Sequence, residues 1–275
     1  MPYYRGKTAA IIERYGPGPR VHYHIGLFGA DGPAQGAPPE QIRAEIVAAQ
    51  ERLLDRAAEV WQASTAFTGD LLDVGCGLGG GAIYWAQHFP VRVTALTNVA
   101  EHADIVRGFA AAAGVADRVQ PLITDIAALG SAGPYGAAVA VESSCHMRRP
   151  QLFQRVAAVL EPGGVFGIED IFLARPAWRA LFDAYWTTSI GTAPQYLEAA
   201  AQAGLILEQE LDVTEATSVF WRYSMAWARA RLAEPSLSAP ERVRLVRSIG
   251  WHHQFLLGWR EGAYLVRILR FRKRG

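Results

Sequence analysis

The run LLDVGCGLGGG, residues 71–81, joins a short apolar stretch to a turn made almost entirely of glycine. Leu71, Leu72 and Val74 read as a buried strand, and Gly75, Gly77, Gly79, Gly80 and Gly81 follow. Glycine reaches left-handed backbone conformations and carries no Cβ, so a ligand can come close to the main chain. Five glycines in eleven residues would weaken a strand–helix junction to no purpose if nothing bound there. In open α/β sheets a turn of this kind lies outside the carboxyl ends of the strands, where ligands bind.

Outward from the turn, strand and helix alternate at a short period. GDLLDVGCG carries the first strand, GGAIYWAQHF a helix, VRVTALT a strand, and VAEHADIVRGFAAAAG a helix ended by Gly114. VQPLITD and GAAVAVES read as strands, RPQLFQRVAAVLEPGG as a helix stopped by Pro-Gly-Gly, and VFGIEDIF as the next strand. The alternation predicts a parallel sheet with helices on both faces. Upstream, residues 38–64 return Ile42, Ile46, Leu53, Leu54 and Val60 at helical spacing. Residues 1–40 are rich in Gly and Pro and read as an arm with one short helix. Beyond Phe172 the alternation breaks. An aromatic-rich segment fills 173–193, a helix 194–203 and a strand 205–213; 214–260 is mainly helical, and AYLVRILRFRK is a last strand. The expected organisation is an arm and cap helix over 1–64, then a main domain over 65–275 with aromatic-rich cap insertions at about 173–193 and 214–260.

Composition narrows the classes. The chain has 275 residues, 51% of them hydrophobic, enough for one large core. A net charge of +1 gives no pull toward nucleic acid or an anionic membrane, so neither is an expected partner. Cys76 and Cys145 are too few for a disulfide framework or a zinc site, which points to a reducing cytoplasm. The opening MPYYRGKTAAIIERYG lacks the apolar run of a secretory leader, and no stretch is apolar enough to span a membrane. Whether the chain forms homo-oligomers is left open.

Two templates fit the glycine turn. Gly75, Gly77 and Gly80 satisfy G-x-G-x-x-G, the dinucleotide fingerprint, which expects an acid about twenty residues on for the ribose. The second strand ends instead in Leu96-Thr97-Asn98. Asp73, Gly75, Gly77 and Gly79 satisfy D-x-G-x-G-x-G, and here the chain resembles the class I S-adenosylmethionine methyltransferases. TDI at 124–126 and VESSCHM at 141–147 stand where that superfamily ends its third and fourth strands. The resemblance implies a Rossmann-like α/β sheet with a reversed last strand and a helical cap. It also implies S-adenosylmethionine as cofactor, held by Asp73, Gly75, Gly77, Gly79, Thr97, Asn98, Asp125 and Ile126.

Thr97 with no acid after the second strand, and the acid in GIED at 167–170, resemble the cyclopropane-synthase and sarcosine/tocopherol-like branch. The resemblance narrows with three more stretches: HYHIG at 22–26, DVTEATSVFWRYS at 212–224 and LLGWREGAYLV at 256–266 are similar to the isoprenyl diphosphate C-methyltransferases, which methylate an alkene carbon of geranyl or isopentenyl diphosphate. Tyr23 and Ile25 interrupt the histidine cluster of the geranyl enzymes, which leaves prenyl length open.

Alkene methylation needs aromatic faces for a cation, a base for one proton, exclusion of water, and a grip on an anionic head group. Glu169, on the fifth strand, is the first expected base, with Glu142 and His146 after the fourth strand as alternatives. Asp170 points to the opposite face by strand alternation. Trp178, Tyr185, Phe220 and Trp221, with Phe182, Trp186, Tyr223 and Trp227, are either pocket wall or ordinary core. Arg20, His22 and His24 are expected on a diphosphate, directly or through Mg²⁺, against the alternative of a lid held by ordinary hydrogen bonds. Arg222 and Arg260 could serve the same end or be plain surface arginines. Isopentenyl diphosphate is favoured as acceptor and geranyl diphosphate comes next. The rivals are an N- or O-methyltransferase of a small sarcosine-like or tocopherol-like metabolite, and a cofactor-binding module without chemistry.

Overall fold

The computed structural model describes residues 6–130 and 133–275 of the chain. Seven strands form one sheet: β1 (Gly69–Val74), β2 (Val91–Thr97), β3 (Val119–Ile123), β4 (Tyr135–Val141), β5 (Leu160–Leu173), β6 (Leu205–Asp212) and β7 (Tyr264–Lys273). Their order is β3-β2-β1-β4-β5-β7-β6. The first five run parallel, and β7 lies antiparallel between β5 and β6. This is the Rossmann-like methyltransferase sheet with the reversed last strand. The strand order reverses between β1 and β4, and that switch point opens a crevice at their carboxyl ends.

Among the described residues fourteen helical segments of varied length surround the strands; those that place the site are few. On one face lie α1 (Thr8–Tyr15), α2 (Pro39–Trp61), α3 (Ala63–Ala66), α4 (Gly80–His88) and α5 (Ala100–Ala112). On the other lie α6 (Arg149–Val159) and, past the short α7 (Arg179–Trp186), α8 (Ala193–Gln202), which packs Tyr196 on Phe153 and Phe172. The remaining segments, α9 (Thr214–Ser218), α10 (Phe220–Leu232) and α11 (Ala239–Arg260), stand with α7 over the first face. The expected 38–64 helix ends at Trp61, where Gln62 turns left-handed at φ 54°, and a second short helix completes the stretch. Trp61 anchors it: its indole donates to the Leu269 carbonyl at 3.0 Å, and a Cβ on Gly167 would strike its ring. The helix over 149–164 stops at Val159, and Pro162-Gly163-Gly164 already belong to β5.

The two aromatic clusters meet. Phe182 on α7 stands 5.9 Å from Phe255 on α11, and Trp221 on α10 stacks on Phe255 at 4.8 Å. None of the described helices is long and apolar enough to cross a membrane.

Candidate active site

The glycine turn, the end of β4 and the arm close on one cavity of about 280 Å³. Gly75, Gly77 and Gly79 have φ of 78°, 55° and 85°, a region that L side chains avoid. A Cβ on Gly77 would meet nothing within 4 Å, so the cavity comes to its main chain. Asp73, on β1, is buried on the cavity wall, and burial pushes its carboxyl up to about 7. Thr97, Asn98, Asp125 and Ile126 line the same cavity; Gly79 lies outside it and shapes the helix start, with Val106 where its Cβ would be. The Asp125 carboxylate accepts from the Ala127 N–H at 2.9 Å and so fixes the turn after β3.

Across the cavity stands Glu142, one residue past β4. Its φ of 41° is strained for a residue with a Cβ, and the Glu142 N–H is held by the Glu169 carbonyl at 2.8 Å. Its carboxyl accepts from the Ile25 N–H at 2.6 Å. Burial pushes it up to about 8, with Asp170 adding to the rise and the Ile25 bond opposing it. His146 lines the same wall, and burial lowers its imidazole to about 4.

Glu169 is placed differently from its expected position. It is paired with Val141 and Ile268 inside β5, four residues short of the strand's end, and it is fully buried. Neither carboxylate oxygen has a hydrogen-bond partner among the described residues, and neither reaches the wall of the cavity. Burial raises it well above the usual carboxyl range, and Glu142 and Asp170 add to the rise, so it is held neutral. Asp170, on the other face as alternation required, accepts from Ser144 and from the Cys145 N–H at 3.1 Å.

The arm is a correction. Val21, His22, Tyr23 and His24 lie on the cavity, and a Cβ on Gly80 would strike the Val21 carbonyl and His22. The two histidines share one side as an extended chain demands, ring centroids 5.3 Å apart. Arg20, however, is committed to Glu51 at 3.0 Å and is not on the wall, and His22 Nε2 stands 3.6 Å from the same carboxylate. His24 Nδ1 is bound to the Ile25 carbonyl at 2.6 Å, and burial lowers the ring to about 3. A carboxylate beside enclosed imidazoles makes a poor seat for a diphosphate. Arg222 and Arg260 border a separate groove with Leu211 and Asp212, away from the cavity. Trp178 packs on Tyr264 at 6.2 Å, while Tyr185, Phe220 and Trp221 line a further groove under the cap. Tyr23 was missed as a site residue: it borders the cavity, that groove, and a small space of about 20 Å³ between them. Its tyrosine in an otherwise histidine-rich arm was the signal available.

With this geometry in place, the comparisons speak. The chain matches the family described as mycolic acid cyclopropane synthetase over residues 38–218 and belongs to it. It is an S-adenosylmethionine-dependent methyltransferase. It is 27% identical over 215 residues to the geranyl diphosphate 2-C-methyltransferase of Streptomyces lasalocidi, covering 73% of this chain and 70% of that one. A geranyl diphosphate methyltransferase structure in complex with GPP and sinefungin superposes with a TM-score of 0.80 at 18% identity, covering 99% and 97% of the two chains. The geranyl diphosphate C-methyltransferase of Streptomyces coelicolor A3(2), in complex with Mg²⁺, geranyl diphosphate and S-adenosyl-L-homocysteine, gives 0.78 at 19% identity, covering 99% and 98%. The cavity suits the cofactor: an open glycine at Gly77 for close approach, and the carboxyls of Asp73 and Asp125 for its cationic and hydroxyl groups.

Proposed function

We propose that the chain transfers a methyl group to an alkene carbon of a small isoprenyl diphosphate, isopentenyl diphosphate ahead of geranyl diphosphate. The observation that carries this reading is Glu142: a buried carboxyl, oriented by the Ile25 N–H, on the wall that faces the glycine turn. Bound there, S-adenosylmethionine supplies an electrophilic methyl group on a sulfonium sulfur.

The chain's own residues meet the remaining demands. Tyr23 and Trp186, ring centroids 5.9 Å apart, and Phe182 beside Trp186 at 6.2 Å offer faces to a carbocation, each worth up to ~2 kcal/mol when dry. They also keep water from it. Glu142 takes the proton that restores the alkene. Burial alone would leave it protonated near neutrality, and the positive charge of cofactor and cation favours its ionised form. Glu169, enclosed one strand away, has its own proton affinity raised by burial and by Glu142, so it stays protonated beside it. His146 completes the wall and orients the acceptor.

The small space between Tyr23, His146, Phe182 and Trp186, about 20 Å³, is little more than a water's, so an acceptor of either length would have to shift these rings to enter it. No group of three or more His, Cys, Asp or Glu that could hold a metal occurs among the described residues, so any Mg²⁺ would be held by the substrate's diphosphate. The test is a mass-spectrometric screen of S-adenosylmethionine with isopentenyl, dimethylallyl, geranyl and farnesyl diphosphates, beside sarcosine and a tocopherol precursor. Methylation of isopentenyl diphosphate above the others supports the reading. Methylation of only the amine or phenol acceptor refutes it.

A further inference from the structure

The groove under the cap, about 910 Å³ in volume, lies between α1, α7, α10 and α11. Its wall carries four cationic side chains, Lys7, Arg14, Arg244 and Arg247, and no carboxylate among the described residues. The cofactor cavity is richer in carboxyls, with Asp73, Asp125 and Glu142 on its wall beside Arg148. Arg244 is already bound to Glu13 at 2.6 Å, but Arg14 is not so compensated. Only 9% exposed, its guanidinium donates to Ser224 Oγ and Ser248 Oγ, both at 3.0 Å, and lies 4.6 Å over the Trp227 ring. No carboxylate among the described residues pairs with it. A buried cation held by neutral hydroxyls and an aromatic face is costly to keep unless an anion completes it.

Further donors converge on the groove. The indole nitrogens of Trp186 and Trp221 and Nδ1 of His252 are buried with no hydrogen-bond partner among the described residues. His252 Nε2 lies 3.2 Å from the Tyr185 hydroxyl, and in the tautomer where it accepts that proton, Nδ1–H is a donor. Lys7 stands 4.7 Å over the Tyr185 ring at the entrance, and Arg247 is exposed at the rim.

We propose that this groove is the diphosphate seat, gripped by Lys7, Arg14 and Arg247, with the alkene end of the acceptor passing Tyr23 toward Glu142. The proposal rests on the isoprenyl diphosphate reading and moves its charged end away from Arg20, His22 and His24. Tyr23 borders both spaces. The buried Tyr15 phenol beside it, 5.8 Å ring to ring, lies in the fields of both: burial raises it, Arg14 pulls it down and Glu142 pushes it up. An anion that bridges two or three of these cations gains charge-assisted hydrogen bonds, and it brings the donors of the groove the partner they lack.

Inorganic pyrophosphate, titrated by calorimetry into the chain loaded with S-adenosylhomocysteine, tests the seat. Lys7→Ala and Arg247→Ala are expected to weaken it about ten-fold each, and Arg14→Met more, as loss of a charge-assisted contact implies. S-adenosylhomocysteine affinity should stay within about two-fold in each, which shows that the fold persists. Arg20→Ala should bind pyrophosphate as the native chain does. Pyrophosphate binding untouched in Lys7→Ala and Arg247→Ala, but lost in Arg20→Ala, overturns the seat and leaves the acceptor class standing. No pyrophosphate binding by the native chain also overturns the seat. Binding at Lys7 and Arg247 with no methylation of any isoprenyl diphosphate keeps the seat and refutes the acceptor class instead.

Discussion

The cofactor cavity and the cap groove are neighbours with opposite chemistry. The cavity is made at the switch point of the sheet, from strand ends and a glycine turn, and carboxyls predominate on its wall, with Arg148 beside them. The groove is made by helices that lie outside the strand–helix alternation, and its charged groups are cations. Tyr23 and Trp186 stand in edge contact at the border. A molecule with a neutral alkene end and an anionic end fits such a pair better in one orientation, because its anionic end meets carboxyls in the cavity and cations in the groove. The division of labour then follows: carboxyls manage a proton and a cation, and the cations of the groove hold the diphosphate, which stays on the molecule throughout.

The largest expected effect is on the cavity side. Gly77→Val places a branched side chain at φ 55° and fills open space at the glycine turn. S-adenosylhomocysteine affinity should fall at least ~100-fold by calorimetry, combining left-handed strain with a blocked site. Unchanged affinity would mean the cofactor does not approach this turn.

Next comes Glu142→Gln, which keeps the bond from the Ile25 N–H but cannot take a proton. Turnover should fall ~10²-fold while cofactor affinity holds. The native rate should climb as pH rises through about 8, where Glu142 ionises, and the variant should lose that limb. The same group sets a stability trend. Its pKa in the folded chain lies above its ordinary value, so the fold holds a proton that the unfolded chain has released. The stabilisation is therefore present at low pH and is lost as pH rises from the ordinary carboxyl range through about 8. Glu142→Gln should melt above the native chain at pH 8 and near it at pH 4.5, a difference on the order of a few kcal/mol.

The smallest effect belongs to Arg20→Ala. The Arg20–Glu51 pair is partly exposed, so its loss should cost under about 1 kcal/mol in a denaturation curve. It should leave methyl transfer intact. A large loss of activity would return the arm arginine to the substrate site.

The sequence made the sheet legible because two periodicities repeat there: apolar strands ended by turns, then helices ended by Gly114 or Pro162-Gly163. β2 falls on VRVTALT as read, and Asp73, Thr97, Asn98 and Asp125 face one cavity because strand ends in this topology must converge. Three things were not legible. Glu169 has the residue type and strand of a base, but β5 continues to Leu173, so the carboxyl is roofed over by its own strand. Arg20 is near His22 in sequence, yet Glu51, from α2, claims it. Lys7, Arg14 and Arg247 come from α1, from the turn before it, and from α11, more than two hundred residues apart, and no local pattern marks cations that only packing brings together. Arg222 and Arg260, also candidates for the diphosphate, line a groove of their own.

One measurement tests the division of labour most directly: steady-state kinetics with isopentenyl diphosphate on Glu142→Gln and Arg247→Ala side by side. The account predicts a split. Glu142→Gln should lower kcat ~10²-fold with KM little changed, and Arg247→Ala should raise KM about ten-fold with kcat little changed. If both substitutions lower kcat alone, or if Arg247→Ala leaves both constants at the native values, the cationic groove does not hold the substrate and the account is contradicted.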